Sequence, residues 1–187
     1  NEIAQKIGDA ELIAKSYDNL GIVKGIKGQH SEAIEYFMKS LTAYEELGDK
    51  TKISLALMHI GHTFELAGSY DKALEYLKRS LQLNKEVENK YNEGWTLVNI
   101  GVVYSRMNKL DTAISYYQRS LTIAEEINNH RLILTCLDNI VWRLIYVPIP
   151  DIVRSVRSSS RRVQRPLIPL FHSGDRVGSV DLAPVQK

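Results

Sequence analysis

The chain repeats itself every 40 residues. Asn19-Leu20-Gly21 returns as His59-Ile60-Gly61 and again as Asn99-Ile100-Gly101. Ala33, Ala73 and Ala113 keep the same step, and so do Ser40-Leu41, Ser80-Leu81 and Ser120-Leu121. A period in this range specifies a solenoid, a stack of one supersecondary unit in which each copy touches its neighbours. The 187 residues therefore build their core as a strip rather than a ball. A strip presents a long surface, which moves the expectation away from catalysis and towards binding.

Each unit reads as two helices. Leu57, Ile60, Gly61 and Phe64 fall on one helical face, Gly68-Ser69 interrupts it, and Asp71, Ala73, Leu74, Leu77 and Leu81 mark a second amphipathic helix. The third unit repeats this with Leu97, Ile100, Gly101 and Tyr104, a break at Asn108, then Ala113, Ile114, Tyr117 and Leu121. In the first unit Tyr17, Leu20 and Gly21 match, but Lys24 stands where Phe64 and Tyr104 stand. Gly28, Gly68 and Asn108 share a register suited to the left-handed residue that ends a helix. Gly21 and Gly61 lie inside helices at a cost of about 1 kcal/mol each against alanine. Opposite Ala33 and Ala73 they are expected to let paired helices approach closely. The predicted helices span 9–26, 30–47, 49–67, 70–87, 89–107, 110–127 and 129–146.

These residues resemble the tetratricopeptide repeat. Counting units from Ala14, Ser54 and Gly94, the family's small eighth residue is Gly21, Gly61 and Gly101. Its small twentieth residue is Ala33, Ala73 and Ala113, and its large twenty-fourth is Phe37, Leu77 and Tyr117. The usual unit has about 34 residues. The longer unit here is similar to repeats of kinesin light chains, spindle-orientation adaptors and bacterial signalling proteins. The resemblance implies an all-α, right-handed superhelical solenoid of antiparallel helix hairpins.

The ends depart from the pattern. Ile7-Gly8-Asp9 aligns with Leu47-Gly48-Asp49, so residues 1–8 read as the end of a preceding unit's second helix. The array occupies 9–146, three full repeats plus the first helix of a fourth, in which Leu137, Ile140, Val141 and Leu144 form the apolar face. After it comes Pro148-Ile149-Pro150 and a divergent tail over 147–187, with Arg154, Arg157, Arg161, Arg162 and Arg165 around a serine run. Residues 1–142 hold 16 basic and 19 acidic side chains, whereas 143–187 hold 8 basic and 3 acidic ones. The tail either binds RNA or an acidic surface, receives phosphate on its serines, or is a disordered or non-native segment without function. The chain begins without methionine and reads as a fragment of a larger protein.

By the resemblance, first helices line a concave groove that receives a partner. One stripe of them carries Lys15, Asn19, Ile22 and Ile26, then Leu55, His59, His62 and Leu66, then Trp95, Asn99, Val102 and Arg106, then Thr135, Asn139, Trp142 and Tyr146. Asn19, His59, Asn99 and Asn139 recur at a step of 40. An amide donates and accepts, so such a row can bond the backbone of an extended peptide without reading its sequence. The long-form relatives carry an asparagine ladder of this kind. The alternative is that the Asn serves the repeat's own packing. Trp95 and Trp142 are either anchors for a partner or packing against the next unit. Groove positions that clamp a terminal carboxylate in chaperone-binding members carry Asp18, Ile22, His59, Trp95 and Asn99 here, which does not suit that ligand.

Other chemistry is sparse. His59 and His62 lie three apart without a third ligand in sequence, so no metal site is expected. Cys136, the single cysteine, rules out an internal disulfide and reads as a small buried hydrophobe. Glu45-Glu46, Glu86 with Glu88, and Glu125-Glu126 recur on helix surfaces as solvated faces. No phosphate loop, metalloprotease motif or nucleophile elbow is present. No signal peptide and no 18-residue apolar run is present, so no membrane segment and no cofactor are expected. The expected protein is a non-catalytic, cytoplasmic scaffold that recognises a protein or peptide, within a larger signalling or regulatory protein. The rivals are the regulatory array of a kinase or cyclase lying elsewhere in the protein, and a structural solenoid that self-associates through its ends.

Overall fold

The computed structural model describes residues 2–146, with side chains over 9–141. They form seven helices: α1 (Glu2–Ile26), α2 (His30–Leu47), α3 (Lys50–Leu66), α4 (Tyr70–Glu86), α5 (Lys90–Arg106), α6 (Leu110–Glu126) and α7 (His130–Tyr146). The tail expectations, from the proline break onward, lie outside the described residues. So does the side chain of Trp142.

A short turn separates each helix from the next, and each turn contains one left-handed residue. These are Gly28, Gly48, Gly68, Glu88, Asn108 and Asn128, one every 20 residues. The 40-residue unit is thus two half-units of matched length, with α3 to α7 each 17 residues long. Glycine and asparagine tolerate this geometry, but Glu88 (φ 52°) places a Cβ in it. Glu88→Gly is expected to stabilise the chain by about 0.5–1 kcal/mol, read as a raised urea midpoint with unchanged slope.

The two half-units start differently. Asp49 and Asn89 open α3 and α5 by accepting the backbone N–H of Lys52 and Asn92, each at 3.0 Å. Asn129 does the same for Leu132, while α2, α4 and α6 begin without a side-chain cap. Asp9 holds the same register but is no cap, because α1 runs unbroken from Glu2 to Ile26. The expected seam at Gly8 is therefore absent. The other turns fold a helix back onto a packed neighbour. Across Gly8 the helical hydrogen bonding of α1 continues at the cost of one interior glycine.

Helices pack in sequence order: hairpins α1/α2, α3/α4 and α5/α6, joined by α2 on α3, α4 on α5 and α6 on α7. The close approach within a hairpin depends on glycine, but its main partner is not the facing alanine. A Cβ on Gly21 would lie 2.6 Å from the Phe37 ring, one on Gly61 2.6 Å from Cγ of Leu77, and one on Gly101 2.5 Å from the Tyr117 ring. Each glycine is a seat for the large twenty-fourth residue of its own unit.

Leu20, expected in the core, is 42% exposed, whereas Ile60 and Ile100 at its register are fully buried. Ile60 packs with Phe37, Leu41 and Tyr44 of α2. No described helix stands in that place against α1, so Leu12, Ile13 and Val23 are exposed as well. On α7, Leu137 and Val141 are exposed for the complementary reason, since no second helix of their unit is described.

Lys24 answers its own irregularity. Where Phe64 stacks on Tyr76 and Tyr104 on Tyr116, Lys24 instead pairs with Glu32 at 2.6 Å. At the register of Glu32, unit two has Lys72, which sits over the Phe64 ring.

One joint carries a buried polar network. Asn84 is fully buried. Its Oδ1 lies 2.8 Å from Ser54 Oγ, whose single proton it shares with the Thr51 carbonyl, also at 2.8 Å, and its Nδ2 donates to Ser80 Oγ and Thr96 Oγ1 at 3.3 Å. Ser80 and Thr96 spend their own protons on the carbonyls of Ser54 and Asn92. Both polar atoms of the amide thus have partners, as those of a buried amide must. Tyr44 and Ala124 occupy its register in the other units.

Candidate protein-binding face

The first helices of successive units, α1, α3, α5 and α7, come side by side; α3 touches α5 and α5 touches α7. Polar links cross between them at a constant offset of 41 residues. Asp18 accepts from His59 Nδ1 at 2.9 Å, and Glu65 accepts from Arg106 Nε at 3.1 Å. The His59 ring also lies 5.1 Å from that of Phe37. With Nδ1 committed to Asp18, Nε2 of a neutral His59 is left as an acceptor.

The four in-register residues are not equivalent. Asn19 is exposed and Asn99 half-buried, and among the described residues neither side chain has a hydrogen bond. Asn139 turns back on its own helix, donating to the Thr135 carbonyl at 2.8 Å. His59 is bound to Asp18. The row is thus two open amides, one half-committed imidazole and one half-committed amide.

Trp95 is half-buried against the core with Val102. Tyr91 meets it edge-on, and the Arg131 guanidinium stands 5.6 Å from its ring. Its position on the face is as expected, but its ring is already covered by the next unit. Lys15 is exposed, and Arg106 is exposed while paired with Glu65. The Glu65 side chain itself is only 4% exposed. A buried carboxylate needs that guanidinium, so Arg106 is partly structural.

A recess of about 380 Å³ opens between α1 and α3. Gly21, Ile22, Gly25 and Ile26 form one wall, Phe37 the floor, and His59, His62, Thr63 and Leu66 the other wall. Burial against this recess pushes the His62 pKa below the ordinary histidine value, and the neighbouring His59 and His30 add to the effect while Glu65 opposes it. Protonation of His62 is therefore harder in the folded chain than in the unfolded one. Its contribution to stability is complete above the unfolded value of 6.5 and declines as the pH falls through it towards the lower folded value. No group of three metal-ligating side chains occurs among the described residues. Cys136 is fully buried, and burial pushes its thiol up.

The recess and the Glu65–Arg106 bridge escape a reading of the sequence by period. Gly25, Glu65 and Ser105 share one register but no chemistry. The available signal was Gly25 itself, a helical glycine outside the repeating glycine position.

Paired helices stacked at a fixed step, with first helices exposing one continuous face, define a helical-repeat interaction scaffold. Two tetratricopeptide-repeat models match the sequence, over residues 52–140 and 14–47. The chain belongs to the tetratricopeptide-repeat family. No curated protein matches its sequence. Among solved structures it is similar to the tetratricopeptide-repeat domain of Arabidopsis FLU, at 19% identity and a TM-score of 0.59, over 63% of this chain and 98% of that one. It is also similar to BtubC from P. vanneervenii, at 15% identity and a TM-score of 0.60, over 89% and 72%. Aspartyl phosphate phosphatase F from Bacillus subtilis gives 15% identity and a TM-score of 0.67, over 82% of this chain and 40% of that chain. At these identities the likeness is one of fold. The fold is in general a non-catalytic interaction scaffold, and proteins built on it bind protein partners. Among the described residues no helix is long and apolar enough to cross a membrane.

Proposed function

We propose that the face formed by α1, α3, α5 and α7 binds an extended segment of a partner protein without catalysing a reaction on it. The observation that carries this reading is the pair Asn19 and Asn99. They are two units apart, in register, on the same face, and without side-chain hydrogen bonds among the described residues. A peptide backbone offers the donors and acceptors they lack. His59 Nε2 adds an acceptor between them, and Asn139 retains its Oδ1. The array serves as the recognition part of a larger signalling or regulatory protein in a reducing, cytoplasmic setting. A buried free thiol suits the second of these points.

Asn99→Ala is expected to weaken binding of a captured partner by about fivefold or more, the worth of roughly one hydrogen bond. The melting temperature should barely move, because the amide holds nothing in the fold. Isothermal titration alongside thermal melting checks both. Unchanged affinity, or a collapse of stability, sinks the reading. Self-association through the ends is the second reading, favoured by the exposed Leu12, Ile13 and Val23 of α1. Sedimentation at several concentrations separates the two.

A further inference from the structure

We infer that two copies of this chain pair through α1, helix against helix and antiparallel, across the seam Ile13, Ser16, Leu20 and Val23. This rests on the self-association reading and gives it one end, one helix direction and a closed two-fold form. Three observations carry it. The first is register. Ile53, Ala56, Ile60 and Thr63 hold the same places on α3, and Glu93, Thr96, Ile100 and Val103 hold them on α5. At those joints the second helix of the preceding unit lies over the seam. Ala56 and Ile60 cluster with Phe37, Leu41 and Tyr44 of α2, and Thr96 bonds Asn84 of α4. On α1, which runs unbroken from Glu2 to Ile26, Ile13, Leu20 and Val23 are exposed. This surface is shaped to receive a helix, and covering it removes apolar area from water.

The second is spacing. The seam advances by three, four and three residues, the step of a two-stranded helical seam. Laid antiparallel on a copy of itself, Ile13 meets Val23 of the copy and Leu20 meets its Ser16, so a small residue receives a large one. Ser16 Oγ already donates to the Leu12 carbonyl at 2.8 Å and leaves no unspent proton beneath the leucine. On the flank Leu12 comes beside Ile26 of the copy, and both are exposed. Asn19 falls beside its own copy near the axis, so pairing withdraws that amide from a bound peptide and leaves Asn99 open.

The third is charge. One further step of four in each direction reaches Asp9 and Lys27. The same register sets Asp9 against Lys27 of the copy at both ends of the seam. Both residues are exposed, and neither has an ion pair among the described residues. A parallel pair would instead set Asp9 on Asp9 and Lys27 on Lys27, so these charges select the antiparallel direction. Two-fold symmetry then makes every contact twice and closes the assembly at two copies.

Sedimentation velocity of the whole chain at low salt, from about 1 to 500 µM, should show a monomer passing to a dimer and no further, with the modest affinity of a single helix pair. Asp9→Lys and Lys27→Asp should each weaken the dimer by about tenfold or more, because each sets like charges together at both ends. The double variant should regain the native affinity, and so should an equimolar mixture of the two single variants. Melting temperatures of the single variants should barely move, since both side chains are exposed. Leu20→Asp should remain monomeric throughout, while Leu137→Asp, on the exposed face of α7, should leave the dimer unchanged. Single variants that associate like the native chain, or a double variant and a mixture that stay weakened, overturn the antiparallel seam. Assemblies that grow past two copies, or association lost in Leu137→Asp and kept in Leu20→Asp, overturn it as well and put an end-to-end stack in its place. A monomer at every concentration overturns self-association altogether, and peptide binding that Asn99→Ala weakens would still stand.

Discussion

Gly101→Ala is expected to lower stability by about 2 kcal/mol in the native sequence and to raise it by about 1 kcal/mol when Tyr117 is also replaced by alanine. The new Cβ would stand 2.5 Å, 2.8 Å and 3.0 Å from three carbons of the Tyr117 ring, its three nearest neighbours. That ring is 1% exposed and hemmed in by Val98, Ala113 and Leu132, so it cannot swing aside cheaply. The intrinsic gain of alanine over glycine in a helix, about 1 kcal/mol, acts in the opposite direction and loses while the ring is present. Tyr117→Ala alone should cost about 3–5 kcal/mol. The coupling between the two substitutions is therefore about 3 kcal/mol, far outside the additivity seen for independent sites. Urea unfolding of the four variants measures it. A stabilising Gly101→Ala in the native background would mean that the glycine does not seat the ring.

Asn84→Asp should be the most damaging substitution that preserves shape, costing about 3–5 kcal/mol at neutral pH. The exchange turns a donor of two protons into an acceptor. Ser80 and Thr96, which receive those protons, already spend their own on backbone carbonyls and cannot turn to meet a carboxylate. The new charge would sit at a fully buried position with no cation among its hydrogen-bond partners. Burial raises the folded-state pKa of such a carboxyl above its unfolded value. The penalty is then full above the folded pKa and fades as the pH falls below it. Asn84→Asp should therefore regain much of the lost stability in mild acid, while Asn84→Leu, which brings no charge, should lose less and show no such recovery. Melting both variants across pH 4 to 8 separates electrostatic from packing damage, and a pH-independent loss in Asn84→Asp would contradict the network as described.

The period revealed whatever the units share. The breaks at Gly68 and Asn108, the faces of α3 to α6 and the register of Asn19, His59, Asn99 and Asn139 all appear in the structure where the 40-residue step puts them. It could not reveal what one unit has and the others lack. Leu20 matches Ile60 and Ile100 in register but, among the described residues, has no helix laid over it. Gly8 matches Gly48 but lies within the unbroken helix α1. His59 looked like a member of an amide row until Asp18, one unit away, proved to hold its Nδ1. The recess beside Gly25 and the bridge from Glu65 to Arg106 belong to single joints, and a repeat pattern averages such pairs away.

The amide at Asn84 also gives the array a syntax. Helical units of one length with interchangeable apolar faces could in principle be shuffled in any order. Here the second unit brings Ser54, Ser80 and Asn84, and the third brings Thr96, where the second and fourth carry Ala56 and Cys136 and the first carries Ser16. Transplanting the second unit to sit before the fourth would leave one proton of a buried amide facing a thiol. That one joint thereby restricts which unit can follow the second: a successor must bring a hydroxyl at the register of Thr96, as the third does and a copy of the fourth would not.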